Sequence, residues 1–266
     1  MITSASNGKI KWVCTLREKA KLRKKEQKFI AEGCKMFLEA PADRLCEVYV
    51  SESLLKKDGE LETACKERLK KVPYEVVSDD VYKKMSDTVT PQGILCVISI
   101  KEAKLEDLLK ATDKPLFVLL ENLQDPGNLG TILRTAEGAG VTGIVMSRDC
   151  VDIYNPKVIR STMGSVYRVP HFYTEDLCGV IDELKAKGIN VYAAALDSSE
   201  IYDSYSYMEG SAFVIGNEGN GLRAETIAKA GKCCYLPMEG KVESLNASVA
   251  ASVLMYEAYR QRRNVK

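Results

Sequence analysis

Leu116-Phe117-Val118-Leu119-Leu120-Glu121-Asn122-Leu123-Gln124-Asp125-Pro126-Gly127-Asn128-Leu129-Gly130-Thr131-Ile132-Leu133-Arg134-Thr135-Ala136 passes from an apolar run, through a loop of small and amide-bearing residues, into an amphipathic segment. An apolar run without polar alternation predicts a strand buried on both faces, as in a parallel sheet covered by helices. The same strand–loop–helix form recurs at Ala212–Ile215 with Gly216-Asn217-Glu218-Gly219-Asn220-Gly221-Leu222. It recurs again at Cys233–Leu236 with Pro237-Met238 and Glu243-Ser244-Leu245-Asn246-Ala247-Ser248. Loops of this composition offer backbone N–H groups and little bulk, which suits close approach to a ligand. Three of them in one domain point to a single composite site.

Outward from these loops, Gly143–Ser147 and Val191–Leu196 add apolar strands. Asp176–Lys187 forms a helix with Leu177, Val180, Ile181 and Leu184 on one face, closed by Gly188. Strands alternating with helices predict an α/β domain over 115–266, its parallel sheet covered on both faces. The last helix, about Ala247 to Arg263, is small or apolar all round in its first turns. That is the pattern of a helix buried on every side, either within the monomer or between the core and a second subunit. Upstream, residues 1–105 mix strands (Glu47–Val50, Tyr74–Val77, Ile94–Ile98) with helical stretches. The latter are Lys19–Glu39, interrupted at Glu32-Gly33, and Glu60–Lys71. This is a small α/β unit of its own, joined through a linker at 106–114 inside the charged stretch Lys101–Lys114, which reads as a connector or hinge helix.

The chain of 266 residues, 45% hydrophobic, has material for a sizeable core. Its 38 basic and 37 acidic residues leave no global field, so a polyanion has to be met locally. Lys19, Lys21, Arg23, Lys24, Lys25 and Lys28, opposed only by Glu26, form one basic run; Arg260, Arg262, Arg263 and Lys266 form another. A solvated helix face has the same composition. The nine cysteines are scattered without a Cys-x-x-Cys pair, and there is no signal peptide. No apolar stretch approaches the ~20 residues of a membrane span. These features predict a reduced, cytoplasmic protein without a membrane partner. The single histidine, His171 beside Pro170, removes most zinc sites and reads as an edge or surface residue, so no metal is expected. Gly216, Gly219 and Gly221 give G-x-x-G-x-G, the reverse of the dinucleotide fingerprint, and no Walker A sequence is present. Both facts oppose a nucleotide-dependent oxidoreductase or kinase.

The three loops together resemble the SpoU/TrmH family of RNA 2′-O-ribose methyltransferases, within the SPOUT class. The residues that carry the likeness are Asn122, Asp125-Pro126-Gly127-Asn128-Leu129-Gly130 and Arg134-Thr135-Ala136. They continue with Gly216-Asn217-Glu218-Gly219, Gly221-Leu222, Pro237-Met238, Ser244-Leu245-Asn246 and Ser248. The N-terminal unit is similar to the substrate-binding domain that precedes this catalytic domain, at Phe29, Glu32-Gly33 and Thr90-Pro91-Gln92-Gly93.

The resemblance implies a C-terminal trefoil knot, with S-adenosylmethionine held by backbone groups of the second and third loops. Gly216, Asn217, Gly219, Leu236, Met238 and Leu245 are then the cofactor-binding residues. Arg134, Asn128, Glu218, Asn246 and Ser244 are the catalytic set, and Lys21, Arg23, Lys24, Lys25 and Gln92 the RNA-binding set. A homodimer is implied, acting on ribosomal RNA. Transfer RNA, or a catalytically silent RNA-binding role in ribosome assembly, is the alternative. The same residues have ordinary structural uses. Arg134 could pair with Glu121 or Glu137; Glu218 could be a charge at a helix N-terminus; Ser244 and Asn246 could cap the last helix. Asn128 would orient Arg134 or the ribose.

Overall fold

The computed structural model describes residues 1–196 and 200–263, so Lys266 of the C-terminal basic stretch lies outside the described residues. The chain forms two units, Met1–Lys101 with Asp152–Tyr167, and Glu102–Val151 with Arg168–Lys266. Among the described residues no helix is long and apolar enough to cross a membrane.

In the first unit, β1 (Lys28–Glu32), β2 (Leu45–Ser51), β3 (Glu75–Val77) and β4 (Ile94–Ser99) form a four-stranded sheet in the order β1-β4-β2-β3. β4 is antiparallel to both neighbours, and β2 and β3 are parallel. The helices Gly8–Glu18 and Asp79–Met85 lay Ile10, Val13, Leu16, Val81, Tyr82 and Met85 on Ile30, Tyr49, Leu95 and Val97. Asn7 and Ser78 start these helices by accepting the N–H of Lys9 and Val81.

The helical expectation for Lys19–Glu39 fails at Lys28–Glu32. Gln27 takes a left-handed conformation (φ 50°) that ends the helix Ala20–Glu26, and Phe29, Ile30 and Ala31 pair with Ile98, Val97 and Cys96. Sheet pairing and burial override helical preference over so short a run. The expected connector helix within Lys101–Lys114 shrinks to Leu105–Leu109.

Arg23 is a second correction. It is 3% exposed, and its Nε and Nη2 donate to Asp152 Oδ2 at 2.8 and 2.6 Å. Its Nη1 donates to the carbonyls of Leu16 and Arg17 at 2.8 and 2.6 Å. A guanidinium whose donors are taken up inside the unit does not offer them to an RNA phosphate. The solvent-facing part of the basic run is Lys19, Lys21, Lys24 and Lys25.

In the second unit, β5 (Leu116–Leu120), β6 (Gly143–Ser147), β7 (His171–Thr174), β8 (Asn190–Ala194), β9 (Ser211–Ile215) and β10 (Lys232–Cys234) form a six-stranded sheet. The order is β10-β8-β9-β5-β6-β7, and every pairing is parallel. Alternate residues face opposite ways along a strand. Phe117, Leu119, Val145, Val191, Ala193, Ala212 and Val214 therefore share one face, covered by Leu177, Ile181 and Leu184 of the helix Leu177–Ala186. His171 opens the edge strand β7, as expected of an edge residue, yet it is buried, its Nδ1 2.8 Å from the Val169 carbonyl.

The helix Pro126–Ala139 packs along Ala247–Arg263, where Ser252 Oγ donates to Thr135 Oγ1 at 3.1 Å. That last helix is not buried on every side. Ala251, Leu254, Met255 and Ala258 are covered, whereas Val249, Tyr256 and Tyr259 stay exposed. Of the C-terminal basic residues, Arg260 pairs with Glu257 at 2.7 Å. Arg262 donates to the carbonyls of Lys114, Pro115, Tyr207 and Glu209, so both serve the fold.

Replacing Arg23 by alanine leaves Asp152 without its partner and should cost about 3 kcal/mol in chemical denaturation. Lys24→Ala, on the exposed side of the same helix, should stay within about 0.5 kcal/mol of the parent.

Candidate active site

Because all strands of the second sheet are parallel, their carboxyl ends lie along one edge, and β5, β8, β9 and β10 each lead there into a loop. Open α/β sheets bind ligands at that edge. A cavity of about 530 Å³ opens between the loops after β8, β9 and β10, with the start of the last helix as its fourth side. Gly216, Asn217, Gly219, Leu236, Met238 and Leu245 all line it, and so do Glu218, Ser244 and Asn246. Sequence reasoning missed Ala194, Ala195 and Leu196 of the β8 end, and Ala247, Ala250 and Leu254 of the helix. β8 enters the site only because it lies between β9 and β10, which no local pattern encodes.

Gly216 is required by close approach. A Cβ there would fall 2.3 Å from the Gly221 carbonyl carbon and 2.5 Å from the Leu222 nitrogen. The loop returns on itself through paired backbone hydrogen bonds between Asn217 and Gly221, each 3.0 Å. Asn217 Oδ1 accepts the N–H of Gly219 and Asn220 at 2.9 and 3.0 Å, an arrangement asparagine side chains favour in turns. Its Nδ2 reaches out to the carbonyl of Asn122 at 2.8 Å, and Asn122 itself sits at φ 53°.

Glu218 makes the second tie between the loops. Oε1 accepts the Asp125 N–H at 3.0 Å and Asn128 Nδ2 at 2.9 Å, and Oε2 accepts the Gln124 N–H at 3.1 Å. The carboxylate thus stands at the N-terminal end of the helix Pro126–Ala139, where the helix dipole favours a negative charge. It is a helix-terminal charge, but on the first loop's helix rather than its own. Burial pushes the Glu218 carboxyl up, but hydrogen bonds from Asn128 and from the N–H groups of Asp125, Glu218 and Gln124 outweigh it, and the net shift is downward. Asn128, buried, is occupied with Glu218, and its own N–H is capped by Asp125 Oδ1 at 2.8 Å.

Arg134 is not among the residues lining the cavity. It lies six residues beyond Asn128, about 9 Å along the helix axis, and is exposed. Neither expected carboxylate partner is free. Glu121, 1% exposed, accepts Thr226 Oγ1 at 2.5 Å and the Arg223 N–H at 2.7 Å. Glu137 pairs with Arg168. Among the described residues Arg134 has no ion pair or hydrogen bond. Asn246 does cap the last helix, Oδ1 accepting Ser248 N–H and Oγ at 2.9 and 2.7 Å, while Ser244 is exposed. In the first unit, Gln92 is exposed, and its Oε1 accepts the Cys34 N–H at 2.8 Å.

The cavity fits a molecule the size of S-adenosylmethionine, since small-ligand sites run from about 300 to 1,000 Å³. The backbone N–H groups of the half-buried Leu236 and Met238 have no partner among the described residues, as a site reading its ligand by main chain requires.

A carboxyl whose folded value lies below its ordinary 4.5 stabilises the fold above that value and loses the contribution as pH falls through the folded value. Glu218→Gln should therefore lower the urea midpoint at pH 7, and the gap to the parent should close as the pH is taken below 4. A gap that is the same at every pH would show that ionisation is irrelevant to the tie.

Residues 115–256 match the model of the SpoU rRNA methylase family, and residues 7–96 match an MRM3-like substrate-binding domain. The chain is 36% identical over 260 residues to the 23S rRNA (guanosine(2553)-2′-O)-methyltransferase RlmP of Bacillus subtilis, covering 96% of this chain and 97% of that protein. The crystal structure of an RNA 2′-O ribose methyltransferase superposes with a TM-score of 0.83 at 29% identity, covering 98% of this chain and 99% of the other. An S-adenosylmethionine-bound rRNA methyltransferase from Sinorhizobium meliloti gives 0.79 at 26% identity, covering 100% and 98%. With matched models over both units and a relative aligned almost end to end, the chain belongs to the SpoU rRNA methylase family.

Proposed function

We propose that this chain transfers a methyl group from S-adenosylmethionine to a ribose 2′-hydroxyl in ribosomal RNA, with large-subunit RNA as the first substrate to test. The single observation that carries the reading is the cavity at the carboxyl edge, walled by the loops that the family uses, with Gly216 admitting no side chain. As a member of the family the chain is an S-adenosylmethionine-dependent methyltransferase. The choice of large-subunit RNA rests on its likeness to a 23S rRNA enzyme.

Bound S-adenosylmethionine supplies an electrophilic methyl on a sulfonium that leaves as a neutral thioether. The protein's task is to bring the 2′-oxygen in line with it and to ease loss of the proton. A guanidinium has donors and no acceptor, so Arg134 holds the target phosphate and ribose oxygen and steadies developing negative charge rather than taking the proton itself. Its freedom from Glu121 and Glu137 leaves it available for that contact. Asn128 and Glu218 fix the helix end that carries Arg134, and Ser244 and Asn246 border the cavity where the ribose enters. Lys21, Lys24 and Lys25, with the Gln92 amide, supply backbone contacts in the first unit, which bind RNA without reading sequence. The same reading includes the trefoil knot through loops 216–222 and 235–246, and activity in the cytoplasm. It also includes a homodimer that covers Val249, Tyr256 and Tyr259.

The test is transfer of labelled methyl to ribosomal RNA and ribosomal particles from cells lacking the protein, followed by nucleoside analysis. A 2′-O-methylated nucleoside is expected, and absence of transfer from a protein that binds no S-adenosylmethionine would overturn the proposal. Arg134→Ala should lower transfer by about 10²-fold or more while leaving cofactor affinity within about twofold. Equal loss of both would make Arg134 structural. Sedimentation equilibrium at micromolar concentration should give a dimer, and Tyr256→Glu with Tyr259→Glu a monomer.

A further inference from the structure

Among the described residues that line the cavity, the side chains charged at neutral pH are Glu218 and Glu243, and no lysine, arginine or histidine joins them. Cys234 is there too, but burial pushes its thiol up to about 12, so it adds no charge. The two carboxylates are not equivalent. Glu218 is committed to Gln124, Asp125 and Asn128 of the neighbouring loop. Glu243 is exposed on the loop after β10, and among the described residues it has no ion pair or hydrogen bond. Its charge is therefore free to act on whatever occupies the cavity.

A site with acidic walls and no base favours a cation over a neutral molecule of the same shape. The cofactor and its demethylated product, S-adenosylhomocysteine, differ in just this way. Each carries one ammonium and one carboxylate, and the cofactor alone carries the sulfonium charge. We propose that Glu243 is a specificity residue that favours the sulfonium-bearing cofactor over its neutral thioether product. The inference rests on the cavity being the S-adenosylmethionine site. Its functional consequence is turnover. Loss of the methyl removes the charge that Glu243 attracts, so the spent molecule is held less tightly than the one that replaces it. The contact acts across a partly solvated opening, so its effect is modest and screened by salt.

The experiment is isothermal titration of the full chain with S-adenosylmethionine and, separately, S-adenosylhomocysteine, at 50 and 500 mM salt. The proteins are the parent, Glu243→Gln and Glu243→Asp. In Glu243→Gln the Kd for the cofactor should rise about three- to fivefold at low salt, with the product's Kd moving by less than twofold. The preference ratio should shrink accordingly, and high salt should abolish most of the difference. Glu243→Asp should restore part of the preference. Equal weakening of both ligands would mean a loop defect and overturn the inference, as would an unchanged ratio in Glu243→Gln. If the parent binds neither ligand, the assignment of the cavity fails first and the inference falls with it; a parent that binds both with an insensitive ratio loses only the inference.

Discussion

The second unit's site depends on one carboxylate. Glu218 belongs to the loop after β9, yet its carboxylate accepts from Gln124, Asp125 and Asn128, in the loop after β5 and the helix that follows. Parallel strands bring the two loops to the same edge, but only roughly. A helix N-terminus presents N–H groups that need acceptors, and an ionised carboxylate from the adjacent loop supplies one without lengthening either segment. The Asn217 amide, donating to the Asn122 carbonyl, fixes the same two loops a few residues away. Two contacts at different points remove the hinge that one alone would leave.

Behind this tie the fold supplies rigidity at both ends of the sheet. Buried Glu121 at the carboxyl end of β5 accepts from Thr226 and from the Arg223 N–H, which pins the far side of the glycine-rich loop. At the opposite end Arg262 gathers carbonyls from the residues leading into β5 and β9. An unmet buried acceptor costs about 1–3 kcal/mol, so the Glu121 network resists the small displacements that would open the cavity. The loop after β10 is held at its start, where Tyr235 exchanges backbone hydrogen bonds with Glu200 and Tyr202 at 3.0 Å, and among the described residues it has no further hydrogen bond until Asn246 caps the last helix. The wall formed by the loop after β9 is therefore firm, whereas the wall formed by the loop after β10, which carries Leu236, Met238, Glu243 and Leu245, is the adaptable one.

How much of this could be read in the sequence follows from what each feature depends on. The strands Leu116–Leu120 and Ala212–Ile215 were legible because burial on both faces abolishes alternation, a purely local sign. The loops were legible for the same reason: amide and glycine composition is local. Arg23 was not, because it stands in a run of lysines and differs from them only through Asp152, 129 positions away. The strand Lys28–Glu32 depends on β4, more than sixty residues downstream by sequence number, so its apolar run gave no hint of sheet. Glu218 was legible as a helix-terminal charge, but not which helix it serves. The helix it serves begins at Pro126, and its Asn128 partner stands at a separation of 90. The strand order hid Ala194–Leu196 altogether. Where a role depends on a neighbour's identity, composition cannot specify it.

The division of charge across the site limits how a polyanion can approach it. Glu218 and Glu243 face the cavity, and the lining offers no described cation to offset them, so phosphate groups are repelled from its mouth. Arg134 stands on the exposed face of the adjoining helix, and among the described residues it has no ion-pair partner, Glu121 and Glu137 being engaged elsewhere. A flexible cation keeps its rotamer freedom until it meets an anion, while the helix beneath it is fixed at its N-terminus by Glu218. In the proposed reaction these facts require the RNA backbone to lie over the helix and not over the cavity. Only the ribose oxygen then has to project toward the methyl. A carboxylate pair that attracts the cationic cofactor and a lone arginine outside it would sort the two substrates by charge before any base is recognised.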